Sequence, residues 1–259
     1  MPASRQTALA RLRAQIRALE TGSGPTAKVL PFGDARLDGC LPGGGLPLGR
    51  WHEIVGEGLQ LETAAAPAAF AARLAAPLAE MGALVWVLRC DDLFAPGLAH
   101  LGFPAERLIQ VHARNEAEVL TVLEDALRTH GVAAAFAEAS SLSLLAGRRL
   151  QLACEQGGAS GFILRRRCFG GGKDAGGGAG AVAAATRWRI ASLPSAPSPD
   201  EPGLGPLRWE ARLERCRGGR TGGWILEAEE GANAAHPFRV VADLADCGLA
   251  PEERLRYAG

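Results

Sequence analysis

The stretch WHEIVGEGLQLET, residues 51–63, decides the fold of this chain. Residues 51–55 predict a strand, the glycines that follow predict a loop, and the alanine-rich residues 63–81 predict a helix. A strand that enters a helix through a short glycine loop begins a strand–helix–strand unit, in which the next strand lies parallel to the first. The stretch therefore predicts an α/β fold.

The same alternation of strand and helix continues downstream. ALVWVL at 83–88 is a continuous apolar run, as expected for a parallel strand that is buried on both faces. Leu142, Leu145 and Leu152 are expected to form the apolar face of a helix at 141–156. The other predicted elements are a short helix at 96–101, a strand at 108–111, a helix at 115–129, and strands at 132–139 and 161–165.

The last third of the chain has a different pattern. Residues 170–181 and 192–206 are low in complexity and rich in glycine or proline, which is typical of flexible loops. The segments TRWRIAS, PLRWEARLER and WILEAE alternate apolar with polar residues, as half-buried antiparallel strands do. We therefore expect a mostly parallel sheet flanked by helices, plus an antiparallel C-terminal extension.

The composition is that of an ordinary folded protein. The chain has 259 residues, 47% of them hydrophobic, which is enough for a buried core and excludes wholesale disorder. Its 28 basic and 28 acidic residues cancel, which excludes a uniformly basic protein. No apolar run approaches the roughly 20 residues of a membrane span, and the N-terminus lacks the apolar core of a secretory signal. We therefore expect a soluble, cytoplasmic protein.

The six cysteines do not predict a metal centre or a disulfide framework. They stand far apart, with no C-x-x-C pair and no cluster with histidine. Isolated cysteines are commonly small buried side chains. The five histidines form no Ser-His-Asp or Cys-His set either. The sequence therefore predicts no catalytic residues and no bound metal.

The loop at 56–63 nearly matches the phosphate-binding pattern G-x-x-x-x-G-K-[ST]. Gly56 and Thr63 occupy its first and last positions, but Leu61 replaces the second glycine and Glu62 replaces the lysine. Leu61 obstructs the approach of phosphate oxygens to backbone N–H groups, and Glu62 places a carboxylate where a cation is needed. At ~4 Å and an effective dielectric constant of 20, this exchange turns roughly 4 kcal/mol of attraction into repulsion. The loop is therefore predicted not to bind ATP, so no cofactor is expected.

Acidic residues follow two of the predicted strands. Glu138 lies near the end of VAAAFAEA, where a phosphate-loop protein would hold its magnesium-positioning acid, and Asp91 and Asp92 follow ALVWVL. Because nothing in the loop is left to hold phosphates, we interpret these residues as polar strand ends.

Positive charge is concentrated in residues 141–225, which hold 13 basic and six acidic residues. Such an excess is typical of a face that binds nucleic acid or an acidic partner. Arginines scattered over a solvated surface would give the same count, so charge alone leaves both interpretations open.

The segment LPFGDARLDGCLPGGGLPLGRWHEI, residues 30–54, resembles the approach to the phosphate loop in RecA-type recombinases. Residues 96–111 resemble the next crossover of that family, and the similarity extends over residues 30–165. It implies a RecA-like core. The matching positions in the first segment are Leu37-Asp38, the GGLP at 44–47, Gly49-Arg50 and Glu53.

A narrower resemblance covers nearly the whole chain. The chain is similar to the ImuA family of bacterial damage-induced mutagenesis cassettes, whose members commonly lack an intact phosphate loop. The segments that carry this resemblance are LRAQIRALE at 12–20, LPGGGLP with GRWHEI, APGL at 95–98, GRRLQLACEQGGASGFILR at 147–165, TRWRIAS at 186–192 and LRWEARLERCRGGRTGGWILE at 207–227.

The resemblance implies a non-enzymatic accessory factor of error-prone translesion DNA synthesis in the SOS response. Its implied partners are ImuB, an inactive Y-family polymerase relative, an error-prone C-family polymerase, and RecA. DNA would be contacted directly or through these partners, with no role for a membrane. Two alternatives stay open: a RecA-type recombinase paralogue with residual ATP binding that modulates recombinase filaments, and a SulA-like cell-division inhibitor, which the length of the chain disfavours.

Three segments are expected along the chain. Residues 1–24 form an amphipathic helix and a linker, and the helix docks either on its own core or on a partner. Residues 25–168 form the RecA-like core with its degenerate phosphate loop. Residues 169–259 form glycine- and proline-rich loops and an extension of strands rich in arginine and tryptophan.

Nine arginines are the candidate contacts with DNA or a partner protein. The first three end a predicted strand, at the edge where RecA-type proteins place DNA-contacting loops. The next three flank Trp188 and Trp209, which suits stacking on single-stranded bases, although tryptophan in an alternating strand favours half-buried packing. The last three surround a Gly-Gly turn. The set is Arg165, Arg166, Arg167, Arg187, Arg189, Arg208, Arg215, Arg217 and Arg220.

Overall fold

The computed structural model describes residues 28–57, 65–165, 183–195, 203–229 and 236–244. Several predictions from the sequence lie outside these ranges. They concern the amphipathic helix within residues 1–24, the phosphate-loop positions Leu61, Glu62 and Thr63, and the candidate contacts Arg166 and Arg167.

The described residues form eleven strands and four α-helices. The strands are β1 (Val29–Leu30), β2 (Leu46–Pro47), β3 (Trp51–Gly56), β4 (Ala83–Leu88), β5 (Leu108–His112), β6 (Val132–Ala139), β7 (Ser160–Arg165), β8 (Thr186–Leu193), β9 (Arg208–Cys216), β10 (Gly222–Ala228) and β11 (Phe238–Asp243). The helices are α1 (Ala35–Asp38), α2 (Ala65–Ala75), α3 (Glu116–Arg128) and α4 (Leu144–Gly157), with 3-10 helices at Ala76–Glu80, Ala95–Leu101 and Ala105–Arg107.

Nine of these strands form one mixed sheet in the order β11-β10-β9-β8-β3-β7-β6-β4-β5. The six strands from β8 to β5 run parallel, and β9, β10 and β11 continue the sheet in antiparallel pairs. The predicted α/β fold, with its parallel core and antiparallel extension, is confirmed. The extension adds directly to the edge of the core, because β8 pairs with β3 on one side and with β9 on the other.

Helices pack on both sides of the parallel strands. On one side, α2 buries Phe70 and Leu74 against the sheet. On the other side, α3 and α4 cover the strands from β4 to β3. The register places Trp86, Phe136 and Phe162 side by side on β4, β6 and β7, and their rings stack at centroid distances of 4.5 and 5.1 Å. This aromatic row fixes the order and register of the central strands through side-chain packing.

The structure differs from the sequence prediction in the direction of β8. TRWRIAS was expected to be antiparallel, but β8 runs parallel to β3 and meets an antiparallel neighbour only in β9. Alternation of apolar and polar residues determines which face of a strand is buried, and it carries no information about direction. The chain between Arg165 and Thr186 is also long enough for a crossover connection, which parallel pairing requires.

The predicted core face of α4 is also wrong. Leu142 is buried as expected, but Leu145 and Leu152 are 72% and 47% exposed. The helix begins at Leu144 because the Ser143 hydroxyl caps it, accepting a hydrogen bond from the Ala146 amide at 3.1 Å. The helix then turns a different set of residues to the sheet: Gly147, Leu150, Ala153 and Cys154.

Within the described ranges, no helix combines the length and hydrophobicity needed to cross a membrane.

Candidate interaction surface

The helices α3 and α4 cover one side of the parallel strands up to β3. On the same side of the sheet, the strands from β8 to β11 carry a charged surface. Side chains alternate along β8, so Trp188 and Ile190 point into the core beneath α2, while Arg187 and Arg189 point to the opposite side. The same alternation on the neighbouring strands extends the set, which we call the arginine–glutamate face. Its members are Glu53, Arg165, Arg187, Arg189, Arg208, Glu210, Arg212, Glu214, Arg215, Glu227 and Arg239.

Glu53 lies at the inner end of this face and is fully buried. Its carboxylate oxygens lie 3.3 Å from Arg165 Nη1 and 3.5 Å from Arg187 Nη1. No hydrogen bond from a described residue reaches either oxygen. Burial raises the pKa of Glu53, although the charges of Arg187 and Arg165 oppose that rise. The side chain therefore holds two arginines at the border between the α4-covered sheet and the open sheet.

Glu214 connects two arginines of β8. Its carboxylate lies 3.0 Å from Arg187 Nε and 2.5 Å from Arg189 Nε. The contact depends on a β-bulge, because Arg187 pairs with Arg215 and Trp188 pairs with Leu213, which leaves Glu214 as the extra residue. The bulge thus places one carboxylate between two cations that the sequence alone had suggested as exposed contacts.

The outer strands repeat this pairing. Glu227 on β10 pairs with Arg208 at 3.0 Å and with Arg239 of β11, and Glu210 pairs with Arg212 at 2.6 Å. The face as a whole contains seven arginines and four glutamates. It is therefore a surface of alternating charge with a modest positive excess.

Two other predicted contacts, Arg217 and Arg220, lie outside the arginine–glutamate face. β9 ends at Cys216, which lies opposite Thr186 at the amino end of β8. The turn that follows contains Arg217 and Arg220, and the Arg220 guanidinium donates to the Gly39 carbonyl at 3.2 Å. These residues lie at the amino-end edge of the parallel strands, whereas Arg165 ends β7 at the opposite edge. The predicted contacts that the structure describes therefore do not form a single basic patch.

Both tryptophans that had suggested base stacking belong to the core. Trp188 is fully buried and Trp209 is 3% exposed. The packing interpretation is confirmed, and neither ring is available to stack on a nucleic-acid base.

A buried polar chain links β8 to β3, and sequence reasoning missed it. The Trp188 indole donates to the Thr186 hydroxyl at 3.0 Å, which donates to His52 Nδ1 at 2.8 Å. His52 Nε2 donates to the Pro47 carbonyl at 3.0 Å, and because a carbonyl only accepts, this nitrogen carries the ring proton. Burial lowers the pKa of His52 to about 4. The only sequence signal was a histidine inside an apolar strand.

The carboxyl ends of the parallel strands carry the residues considered for nucleotide chemistry. Gly56 ends β3 and Glu138 lies at the end of β6, with β7 between the two strands. The register places Glu138 level with Ile54, two residues before Gly56, and two strand spacings separate β6 from β3 by about 10 Å. Asp91 follows β4, and its side chain is 91% exposed, with His112 Nε2 at 4.0 Å. Across the described ranges, no three residues among His, Cys, Asp and Glu come close enough to hold a metal ion.

The cysteines that the structure describes are free thiols: Cys40, Cys90, Cys154 and Cys216. Cys154 lies on the buried side of α4, and burial raises the pKa of its thiol to about 12. A thiol that stays protonated at neutral pH is a poor nucleophile. Cys154 thus contributes packing to the core.

Comparison with known proteins places this chain in a family. No family model matches it. It is 58% identical over 246 residues to protein ImuA of Caulobacter vibrioides strain NA1000, an alignment that covers 93% of this chain and 100% of the relative. Protein ImuA of Caulobacter vibrioides strain CB 15 gives the same identity and coverage. With this identity over nearly the whole length of both proteins, the chain belongs to the ImuA family.

Proposed function

We propose that this protein is a non-catalytic accessory factor of error-prone translesion DNA synthesis. It acts as an adaptor in SOS mutagenesis, together with an ImuB-type inactive Y-family polymerase and an error-prone C-family polymerase, and it also contacts RecA. The observation that carries this proposal is membership of the ImuA family over 93% of the chain. The degenerate phosphate loop supports it, because Leu61 and Glu62 oppose phosphate binding.

The arginine–glutamate face supports contact with proteins more than direct contact with DNA. Binding to DNA depends on cations that neutralise phosphates. Here Arg187, Arg189 and Arg208 already pair with glutamates, so phosphates would have to compete with carboxylates on the same face. Alternating charges fit a protein surface with the complementary pattern. DNA is therefore reached through the polymerase partners.

The absence of ATP chemistry is tested by titrating the purified protein with magnesium-ATP in a calorimeter. We expect no binding at micromolar concentrations, for the protein as it stands and for the Glu62→Ala variant. Micromolar, magnesium-dependent binding that Glu62→Ala leaves intact would favour the recombinase-paralogue alternative.

The cellular role is tested in a strain deleted for this gene. We expect loss of damage-induced mutation, restored equally by the wild-type gene and by Glu62→Ala. Normal induced mutation with poor survival would point to recombination instead. Filamentation on overproduction, with unchanged mutation rates, would point to inhibition of cell division.

A further inference from the structure

Helix α4 exposes apolar side chains to solvent. Leu144, Leu145 and Leu152 are 56%, 72% and 47% exposed. Its neighbour α3, on the same side of the sheet, instead exposes small or polar residues, namely Ala117, Thr121, Asp125 and Arg128. The outer surface of α3 is that of an ordinary solvated helix, whereas the outer surface of α4 is not.

The exposed residues of α4 form a defined pattern. Leu145 and Leu152 are seven residues apart, which places them on one stripe of the helix, about 10 Å from each other. Arg148 and Arg149 lie between them, at the positions three and four residues after Leu145. We call these four residues and Leu144 the α4 ridge.

The orientation of the ridge is held by the opposite side of the helix. Leu150 and Cys154 are buried, and the Trp51 indole donates to the Gly147 carbonyl at 3.1 Å. Rotating α4 to hide Leu145 would break this hydrogen bond and expose its buried residues. The exposed leucines are therefore a stable feature of the fold.

The ridge itself carries two arginines and no acidic residue, and Glu155, three residues beyond Leu152, pairs with Arg50. Arg149 lies 2.6 Å from Glu124 of α3, but the same carboxylate also pairs with Arg128. Arg148 is exposed, and no ion pair to it occurs within the described part of the chain. Two leucines with two arginines between them fit a partner that offers apolar side chains flanked by carboxylates.

We propose that the α4 ridge is the docking surface for an amphipathic helix of a partner protein, with leucine-type side chains on one face and carboxylates beside them. This inference rests on the proposed adaptor function and adds to it the chemistry of one contact. Charge disfavours two other occupants. The N-terminal segment of this chain carries four arginines and one glutamate in residues 5–20, and a second copy of α4 would bring arginines against arginines.

The test uses the full chain and two fluorescein-labelled model peptides of three heptads. Both peptides carry leucine at positions a and d, one has glutamate at e and g, and the other has lysine there. In fluorescence anisotropy we expect the glutamate peptide to bind ~10-fold or more tightly than the lysine peptide. Leu145→Ser combined with Leu152→Ser should weaken that binding by ~10-fold or more. Arg148→Glu should reduce the preference for the glutamate peptide, and Arg149 is left in place because it pairs with the buried Glu124.

The matched control is Leu204→Ser, because Leu204 is 96% exposed and lies outside the ridge. It should bind like the wild type, and all variants should unfold at the same temperature. Equal binding of both peptides, or binding unchanged by the ridge variants, would overturn the inference. Self-association that the double serine variant abolishes would show a second copy as the occupant instead.

A cellular experiment separates this inference from the proposed function. The double serine variant should fail to restore damage-induced mutation in the deletion strain. Full restoration by that variant would overturn the docking role of the ridge and leave the adaptor proposal standing. If the wild-type gene itself has no effect on induced mutation, the adaptor proposal fails, and the peptide titration still decides what the ridge binds.

Discussion

Acidification is expected to destabilise the folded protein through His52. The ring is buried as a neutral group, with Nε2 donating to Pro47 and Nδ1 accepting from Thr186. A second ring proton would bury a charge, and it would also take away the acceptor that Nδ1 offers to the Thr186 hydroxyl. The folded pKa of about 4 therefore lies below the value of 6.5 that an exposed histidine has.

The sign and size of the effect follow from this difference. Above pH 6.5 the ring is neutral in both states, and the contribution to stability is complete. Between pH 6.5 and 4 the unfolded chain takes up a proton that the folded chain excludes, so stability falls as the pH falls. At about 1.4 kcal/mol per pKa unit, the difference amounts to about 3 kcal/mol, most of it lost by pH 4.

The assay is urea unfolding at pH 7.5, 6.0 and 5.0, followed by tryptophan fluorescence. His52→Gln is the comparison, because its amide can still donate to Pro47 and does not titrate. Carboxylates contribute equally to both proteins, so the difference between their pH profiles isolates the histidine. Parallel profiles over this range would refute the reasoning. If the variant does not fold, an NMR titration of the wild type decides: the His52 ring signals should not shift above about pH 5.

Four further substitutions test contacts that hold the fold. Glu53→Gln leaves two largely buried arginines without their shared anion and should lower the free energy of unfolding by about 3 kcal/mol. Glu214→Gln changes a more exposed carboxylate and should lower it by about 1 kcal/mol or less. Arg73→Leu removes the donor to the Pro237 carbonyl, 2.5 Å away, and should cost about 2 kcal/mol and hasten proteolysis near β11. Gly157→Ala places a Cβ 2.0 Å from a carbonyl oxygen of α3 and should cost about 3 kcal/mol.

Urea unfolding measures the stability of each of these variants and of its control. For the glutamates, equal losses at both positions would contradict the role of burial. Arg114→Leu is the control for Arg73, because its side chain is 88% exposed, and it should leave the free energy of unfolding almost unchanged. Gly158→Ala is the control for Gly157, because an added Cβ there meets no neighbour and only the positive φ of the residue opposes it. It should lower the free energy of unfolding by about 1 kcal/mol. A larger decrease at Gly158 than at Gly157 would refute the crowding argument.

The candidate surface was only partly predictable from the sequence. Arg165, Arg187, Arg189 and Arg208 were predicted as candidate contacts with DNA or a partner, and the structure shows that each of them also pairs with a glutamate. Their partners come from other strands, and one of them reaches its position through a bulge. Pairs of this kind depend on strand order and register, which a local pattern does not contain.

The sequence by itself determined the local character of the chain. The apolar runs at 83–88 and 132–139 became β4 and β6 with the predicted boundaries, because a strand buried on both faces consists almost entirely of apolar residues. The sequence also shows that Leu61 and Glu62 replace the glycine and lysine of the phosphate-loop pattern, and it carries the resemblance to the ImuA family.

Only the tertiary structure decided how those elements face one another. The direction of β8, the pairing of Glu53 with arginines on two neighbouring strands, and the exposure of Leu145 each depend on contacts between distant segments. The physical reason is that periodicity specifies which residues of an element are apolar. Which surface covers them is determined by the packing of the whole sheet, and on α4 that packing leaves a leucine stripe uncovered.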